Sequence, residues 1–453
     1  MRAGERLTLA CVDLDDEGAG VSADHVHVAG ALPGETVAAT VEHVSAHTGQ
    51  AWARLEQIET PSPARRPPSC AAFGACGSCV LQHFDYDAQR AWKQARVERA
   101  LREAGLRTEV DPCVASPRPL GYRNNSKLVA GGTAGRLVLG AYAPRSHAIV
   151  DLAGCRIAQP PLDETARGLR DLLEARGVRP YDEQTLTGDV RYVVLRANAS
   201  GQVLATWIVS RGLENGADLA RAFRGARPEV GGVVEHVNRT RGNALFDLGG
   251  QARVLDGSST LEDTVAVDDR FVRVRLSAGA FFQANRDVAG LAYTAIARAL
   301  GPRPGEQIVD AYCGVGGIAL TLAPAVSEGG AVLGIESNAA AVDDAIASAP
   351  LNGVGNARFV TADVAARLAA VDHADLVVVN PPRKGCAPAV LEQLVRLAPR
   401  AVAYLSCDPD TLARDLAWLA AHGYRARSVT PFDMLPHTPH VEALAIIEPG
   451  AVR

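Results

Sequence analysis

The sequence predicts three units: two β-rich units, followed by a doubly wound and mostly parallel α/β sheet. The chain has 453 residues, which exceeds one ordinary hydrophobic core, and about 150 residues per domain gives roughly three domains. Short runs rich in β-branched residues, separated by turn residues, fill the first half. After residue 276, buried strands alternate with helical segments, which is typical of a parallel sheet.

Composition limits the partners and the compartment that can be expected. The net charge is −5, so any nucleic-acid-binding surface has to be a local one. The N-terminal stretch MRAGERLTLACVDL has no apolar region of the signal-peptide type, and no apolar run is long enough to span a membrane. We therefore expect a cytoplasmic chain without a membrane partner. Its nine cysteines then suit metal binding or catalysis better than disulfides.

Residues 1–60 are predicted to form a small β-barrel. The runs RLTLACVDL, HVHVAGAL, TVAATVEHV and QAWARLEQI are separated by the turn-forming stretches DDEGAG, PGE and HTG. Four or five strands at this spacing suit a compact barrel of the OB kind, a shape that often binds RNA. The proline-rich stretch PSPARRPP, residues 61–68, marks the end of this unit.

A cysteine cluster opens the second unit, which is predicted to span residues 61–275. In CAAFGACGSCVLQH, Cys70, Cys76 and Cys79 have the spacing C-x5-C-x2-C. Structural zinc prefers C-x2-4-C pairs, whereas iron–sulfur clusters use compact runs and a distant fourth cysteine. The spacing favours an iron–sulfur cluster and leaves zinc open. Cys155 is the first candidate for the fourth ligand, and Cys113 is its rival.

The rest of the second unit is predicted to be mostly β-structure. The segments KLVA, RLVLGAYAP and RYVVLRANASGQVLATWIV have the composition of strands, and a helix over 161–177 interrupts them.

The third unit, residues 276–453, carries a ligand-binding pattern. IVDAYCGVGGIALTLA predicts a buried strand, a glycine loop and a helix, but the loop lacks the G-x-G-x-x-G spacing of dinucleotide-binding proteins. Gly314 and Gly316 allow a ligand to approach the backbone closely. Glu336 ends the second strand and can accept hydrogen bonds from both ribose hydroxyls, while Asp363 ends the third and can bind an adenine amino group. Together they predict S-adenosylmethionine.

Two residues near the C-terminus are candidates for covalent chemistry. Cys407 follows the strand AVAYLS at the edge where open α/β sheets bind ligands, although most such cysteines are simply buried hydrophobes. Glu442 lies beside His437 and His440 and suits a general base; the alternative is a surface glutamate before an edge strand.

A methyl donor, a thiolate and a base are needed together in the methylation of a pyrimidine at C5. That carbon is too poor a nucleophile until a thiolate adds to C6, and a base must afterwards remove the C5 proton. We therefore assign Cys407 as the nucleophile and Glu442 as the base. Amine methylation needs neither residue, and Arg383 stands after NPP where amine methyltransferases usually have an aromatic residue.

The chain resembles the RNA uracil-5-methyltransferase family over essentially its whole length. SCDPDTLARD resembles the nucleophile motif of that family, PHTPHVE the motif of its proton acceptor, and CAAFGACGSCVLQH its cluster motif. AFFQAN, DAYCGVGG and NPPRKG match its cofactor motifs, with minor departures: Gly77-Ser78 in the cluster motif, Gly317 for a frequent asparagine, and Asn380 for a frequent aspartate. The resemblance implies a TRAM barrel over 1–60, a central domain with a 4Fe-4S cluster over 61–275, and a Rossmann-like class I methyltransferase domain over 276–453.

Site residues follow from the same motifs. The implied S-adenosylmethionine site contains Gln283, Tyr312, Gly314, Gly316, Glu336, Asp363 and Asn380. The implied cluster ligands are Cys70, Cys76, Cys79 and Cys155.

The resemblance implies a monomeric enzyme that methylates uridine C5 in RNA. Ribosomal RNA, specifically 23S rRNA, is the expected substrate, and transfer RNA is the alternative. A non-catalytic iron–sulfur protein that binds RNA is a further alternative, which the intact Cys407, Glu442 and glycine loop disfavour.

Overall fold

The computed structural model describes residues 1–133, 135–240, 245–246 and 252–450. The strands in these ranges form a closed barrel, a seven-stranded sheet, a two-stranded hairpin and a second seven-stranded sheet. Among the helices in these ranges, none is both long enough and apolar enough to cross a membrane.

The barrel is built from five strands in the order β1-β2-β3-β5-β4. They are β1 (Arg6–Leu14), β2 (Gly20–Ser22), β3 (Val26–Val28), β4 (Thr36–Val44) and β5 (Ala51–Thr60). Alternating residues such as Val37 and Val41 fill the interior, as period-2 side-chain alternation requires. The buried Glu35 accepts hydrogen bonds from Arg65 and from the Ser62 N–H, which ties the barrel to the proline-rich segment behind it.

The central sheet has the strand order β12-β11-β10-β9-β6-β7-β8. After helix α1 (Tyr86–Glu103) come β6 (Asn125–Thr133), β7 (Arg136–Tyr142), β8 (Ile149–Asp151), α2 (Pro160–Ala175), β9 (Val190–Ala197), β10 (Val203–Val209), α3 (Gly216–Ala226), β11 (Val230–Val237) and β12 (Ala252–Gly257). Helices α2 and α3 cover one face, where Leu169 and Phe223 pack with Trp207. Strands β9 and β10 are buried along their whole length, because both faces of the sheet are covered.

The C-terminal sheet has the order β17-β16-β15-β18-β19-β21-β20. Its elements, with the hairpin β13–β14 that precedes them, are β13 (Thr260–Val267), β14 (Arg270–Ser277), α4 (Arg286–Leu300), β15 (Gln307–Ala311), α5 (Gly317–Leu322), a 3-10 helix (Ala323–Val326), β16 (Ala331–Glu336), α6 (Ala339–Leu351), β17 (Ala357–Thr361), α7 (Val364–Ala369), β18 (Leu376–Val379), α8 (Pro388–Leu397), β19 (Ala401–Ser406), α9 (Pro409–Ala421), β20 (Tyr424–Phe432) and β21 (Glu442–Pro449). Strands β15 to β19 are parallel, and β21 is antiparallel to both of its neighbours. This is the doubly wound arrangement that the alternation of strands and helices predicts.

Side-chain caps start several helices at the ligand-binding edge of this sheet. Asn338, Asp363 and Asp408 accept hydrogen bonds from backbone N–H groups in the first turns of α6, α7 and α9. Such caps satisfy donors that have no partner within the helix, and each contributes about 1 kcal/mol. These caps fix the points where the chain turns from β16, β17 and β19 into the helices that follow them.

Two segments that precede residue 276 pack into the core of the C-terminal unit. Val265 and Val272 of the β13–β14 hairpin belong to the same buried cluster as Ile296 of α4. Val97 and Leu101 of α1 belong to the cluster on the other face of the sheet, and α1 packs against α9. The C-terminal unit is thus built from more of the chain than residues 276–453.

Candidate active site

A large cavity lies at the carboxyl ends of β15, β16, β18 and β19. Its volume is about 650 Å³. The switch in strand order between β15 and β18 opens this crevice, as in other doubly wound sheets. Seven of the predicted site residues line it, namely Gln283, Tyr312, Gly314, Glu336, Asn380, Cys407 and Glu442.

The glycine loop after β15 needs its glycines for two different reasons. Gly314, with φ 53°, has open space where a Cβ would stand, and it lines the cavity. Gly316, with φ 82°, is not among the lining residues; a Cβ there would meet the Phe359 ring at 2.9 Å. Position 316 therefore requires glycine because the Phe359 ring packs against it, and not because a ligand in the cavity approaches it.

The two acidic strand ends differ in their surroundings. Glu336 lines the cavity, and its carboxylate accepts hydrogen bonds from the Gly314 N–H (3.2 Å) and the Asn338 N–H (2.9 Å). Asp363 is not among the lining residues, and its Oδ1 accepts from the Ala366 N–H at 2.9 Å as the cap of α7. Glu336 is thus oriented toward the cleft, whereas Asp363 has a structural role that sequence reasoning missed.

The loop NPPRKG is held against α9. Thr411 Oγ1 donates to the Arg383 carbonyl at 3.0 Å, and Arg414 donates to the Lys384 carbonyl at 3.0 Å. Both donors lie on the helix that follows Cys407. The loop and the cysteine are therefore positioned as one unit, with the Arg383 side chain lining the same cavity.

Strand register brings Cys407 and Glu442 together. Strand β21 lies antiparallel to β19, with Ser406 opposite Ala443. Cys407 comes one residue after Ser406 and Glu442 one residue before Ala443, so they would form the next pair of the ladder. Both side chains line the cavity. Two residues separated by 35 positions in sequence thus meet at one point.

Burial shifts the pKa values of both groups upward. The pKa of the Glu442 carboxyl rises to about 8 because the group is buried, while the positive charge of Arg383 acts in the opposite direction. The pKa of the Cys407 thiol rises to about 11, mainly through burial and then through the negative charge of Glu442; Arg383 again opposes the shift. Arg383 is thus the cation that favours the ionised form of both residues.

The two histidines beside Glu442 in the sequence have other partners. His437 Nδ1 lies 3.2 Å from the Gln89 amide nitrogen, and His440 Nε2 lies 3.4 Å from an Arg383 nitrogen. Glu442 Oε2 is buried and has no hydrogen-bond partner among the described residues. This oxygen can accept a proton from a ligand in the cleft.

Four cysteines line a second, smaller cavity between the loop after the barrel and the central sheet. Its volume is about 140 Å³, and Cys70, Cys76, Cys79 and Cys155 all contribute to its wall. The pKa of the Cys79 thiol rises to about 12 through burial and through the neighbouring Cys155, Cys76 and Cys70. Cys113 is buried elsewhere. The N–H of the next residue, Val114, donates to the Pro431 carbonyl of β20.

Gln82 and Arg123 are among the polar residues that line the cysteine-lined cavity. Gln82 accepts from the Cys70 N–H at 2.7 Å, and its buried Nε2 has no partner among the described residues. Arg123 lines the same cavity and lowers the pKa of Cys79. Within the described residues, no group of three or more histidine, cysteine, aspartate or glutamate side chains is placed to hold a single metal ion, which leaves the four thiols as candidate ligands of a larger cluster.

Comparisons with known proteins agree with one another. The family model described as tRNA (Uracil-5-)-methyltransferase matches residues 248–448. An RNA methyltransferase of Gloeobacter violaceus is 39% identical over 426 residues, which cover 93% of this chain and 91% of that protein. An RNA methyltransferase of Listeria monocytogenes serotype 4b is 34% identical over 457 residues, which cover 99% and 98%.

A solved structure is similar over almost the whole chain. The crystal structure of Pyrococcus abyssi tRNA (uracil-54, C5)-methyltransferase in complex with S-adenosyl-L-homocysteine has a TM-score of 0.77 and 28% identity. The match covers 97% of this chain and 99% of that chain. The similarity therefore includes the barrel and the central sheet as well as the C-terminal sheet.

The electrostatics of the cleft predict how Cys407 reacts with an alkylating agent. Above the pKa of Glu442, about 8, its negative charge disfavours the Cys407 thiolate. Glu442→Gln should therefore lower the Cys407 pKa and speed its alkylation by iodoacetamide about three- to tenfold, since one pKa unit changes the thiolate fraction tenfold. Mass spectrometry of the Cys407 peptide measures this rate.

Glu448→Gln is the matched control, because it removes the same charge from the far end of the same strand, where Glu448 pairs with Arg427. An unchanged alkylation rate in Glu442→Gln would contradict the described electrostatic contact.

Proposed function

Because the chain belongs to the RNA (uracil-5-)-methyltransferase family, we propose that it methylates uridine C5 in RNA through a covalent bond between Cys407 and C6. Membership of this family supports a reaction that depends on S-adenosylmethionine and a class I methyltransferase fold. The single observation that most supports the covalent mechanism is the β19–β21 register, which brings Cys407 next to Glu442 in the cleft of Glu336 and Gly314.

In the proposed mechanism, Cys407 acts first. The Sγ–H proton passes to solvent, and the thiolate forms a bond to C6 while the C5–C6 double-bond electrons move toward the C4 carbonyl, whose oxygen takes the negative charge of the enolate. C5 then attacks the methyl carbon of S-adenosylmethionine, and S-adenosylhomocysteine departs with the electrons of the broken S–CH₃ bond. Arg383 favours the thiolate electrostatically, because it opposes the rise in the Cys407 pKa.

Glu442 acts in the second half of the reaction. Its carboxylate takes the C5 proton, the C–H electrons restore the C5–C6 double bond, and the Cys407 thiolate is expelled. Glu442 Oε2 is buried without a partner among the described residues, so it is free to take that proton. The raised pKa of about 8 makes the carboxylate a stronger base than an exposed glutamate.

We also propose that the predicted residues hold the methyl donor. The Glu336 carboxylate is held by backbone N–H groups on both sides, which suits it to accept hydrogen bonds from a ribose. Gln283, Tyr312 and Asn380 line the same cavity. For Asp363, the proposed contact with the adenine has to use the carboxylate oxygen that does not cap α7.

The cysteine-lined cavity is proposed to hold a 4Fe-4S cluster. Four thiols in one cavity match the four cysteine ligands that such a cluster takes. The unpartnered Gln82 Nε2 can donate to a cluster sulfur, and Arg123 adds a positive charge beside a group that is negatively charged when bound to four thiolates. The cluster has a structural role in this proposal, and the N-terminal barrel, as a TRAM domain, binds RNA.

The proposed RNA is ribosomal, as expected from the sequence, with transfer RNA as the second candidate. The second candidate is favoured by one observation: the similar structure from Pyrococcus abyssi is named a tRNA (uracil-54, C5)-methyltransferase and matches 97% of this chain.

Methylation of purified RNAs tests the substrate. The protein should transfer label from methyl-labelled S-adenosylmethionine to unmodified 23S rRNA, and nucleoside mass spectrometry should identify 5-methyluridine. An unmodified tRNA pool is the parallel substrate. Label in tRNA alone would contradict the ribosomal assignment, and a methylated base other than uracil in either RNA would contradict the C5 chemistry.

Substitutions at the two reactive residues should have opposite effects. Cys407→Ala removes the nucleophile, so it should abolish methylation and form no adduct, yet still bind S-adenosylmethionine. Glu442→Gln keeps the nucleophile but not the base, so it should methylate bound RNA and then fail to release it. Denaturing electrophoresis of protein with labelled RNA measures the adduct.

RNA that contains 5-fluorouridine should trap the wild-type protein in the same way, because fluorine cannot leave C5 as a cation. Substantial turnover by Cys407→Ala would exclude the covalent mechanism.

The metal assignment has its own test. Protein purified without oxygen should be brown and contain about four iron and four sulfide per chain. Cys155→Ser should lose the colour and most of the iron, whereas Cys113→Ser should keep both, since only Cys155 lines the cavity of the other three cysteines. Zinc in place of iron, or a need for Cys113, would contradict the assignment.

A further inference from the structure

We infer that one face of helix α1, formed by Gln89, Lys93 and Arg96, positions the proton-accepting Glu442 by fixing the backbone of residues 433–440. This inference rests on the proposed role of Glu442. The three residues are spaced i, i+4 and i+7, so their side chains lie on one face of the helix. They act as positioning residues, since each contacts the 433–440 segment and none lines the active-site cavity.

Gln89 makes the densest set of contacts. It is fully buried, and its Oε1 accepts from the His437 N–H at 2.9 Å. Its Nε2 donates to the Leu81 and Phe84 carbonyls at 3.1 and 2.7 Å, and it lies 3.2 Å from His437 Nδ1. The His437 carbonyl in turn accepts from the Leu81 N–H at 2.9 Å.

His437 adopts a backbone conformation that residues with a side chain rarely adopt. Its φ is 66°, in the left-handed region where residues other than glycine are uncommon. Such a conformation persists when the surroundings hold it on several sides. Here the N–H, the carbonyl and the ring are all held, through Gln89 and Leu81.

Lys93 and Arg96 hold the segment on either side of His437. The Lys93 ammonium and the Asp433 carboxylate are both fully buried, and Lys93 Nζ also donates to the Leu435 carbonyl at 3.1 Å. Arg96 donates to the Pro439 carbonyl at 3.1 Å and pairs with Asp16, which lies in the barrel region. Side chains of α1 therefore hold every second position of the segment: 433, 435, 437 and 439.

Glu442 begins β21, where its backbone pairs with Phe432 of β20, and the anchored segment is the connection between these two residues. Its Oε2 has no hydrogen-bond partner among the described residues, so side-chain contacts at that oxygen do not orient it. Pro439, the last anchored residue, is three positions before Glu442. A shift of the segment would thus move the start of β21 and the carboxylate relative to C5, whereas Cys407 lies between β19 and α9, outside the segment.

Gln89→Leu tests this division. Adduct formation and methyl transfer should stay near the wild-type rate, because they use Cys407 and the methyl donor. Release of methylated RNA from the adduct should slow by about 10- to 100-fold, since a 1 Å misplacement of a catalytic group can cost about 100-fold in rate. Single-turnover reactions with labelled RNA, stopped in denaturant, measure the two steps separately.

Gln94→Leu is the matched control. Gln94 is a glutamine on the same helix whose amide pairs with Glu98 at 2.9 Å, away from the 433–440 segment. It should release product at the wild-type rate. Arg96→Met, which removes only the Pro439 contact and an ion pair, should also accumulate adduct, and it decides the outcome if Gln89→Leu does not fold.

The outcomes separate this inference from the proposed function. If Glu442→Gln accumulates adduct while Gln89→Leu and Arg96→Met release product normally, the positioning role is wrong and the base assignment stands. An equal loss in adduct formation and release would mean that α1 only supports the fold, which also overturns the inference. Normal turnover by Glu442→Gln would overturn the base assignment itself, and the positioning role with it.

Discussion

The active end of the protein depends on a fully buried contact between Lys93 of α1 and Asp433, just after β20. Each charge on its own would be costly to bury, and removal of one partner of such a pair typically costs about 3–5 kcal/mol. The pair is thus stable only when α1 is docked on the C-terminal sheet. Because the partners are 340 residues apart, the two halves of the chain must fold together to form it.

This docking connects the two sites of the molecule. The segment that follows Cys79 reaches the 433–440 backbone through Leu81, and Gln89 contacts both. One set of buried hydrogen bonds therefore connects the segment that follows the three clustered cysteines with the segment that leads to Glu442. Any ligand that orders the cysteine segment also restricts the backbone that leads to Glu442.

Burial of carboxyl groups in the C-terminal unit has a cost in stability. Glu442 and Asp310 have folded-state pKa values raised to about 8 and about 7, above the ordinary carboxyl values, chiefly because both are buried. For an acid with a raised pKa, the folded state binds protons more tightly, so the contribution to stability is present at low pH and lost as pH rises toward those values. Proteins often accept lower stability where function requires a destabilised group, such as a poorly solvated carboxyl at neutral pH.

Local sequence pattern determined much of this protein. The alternation of strands and helices, the glycine loop, the cysteine spacing and the place of Cys407 at a strand end are visible because each depends on residues close together in the chain. The sequence also put Cys155 before Cys113 as the fourth cysteine, and the structure places Cys155 in the cavity of the other three. Tertiary structure alone decided that Asp363 caps a helix and that Gly316 is required by Phe359. It also decided that α1 and the β13–β14 hairpin belong to the core of the C-terminal unit. These features depend on contacts between distant segments and on the register of β21 against β19, which short-range patterns do not encode.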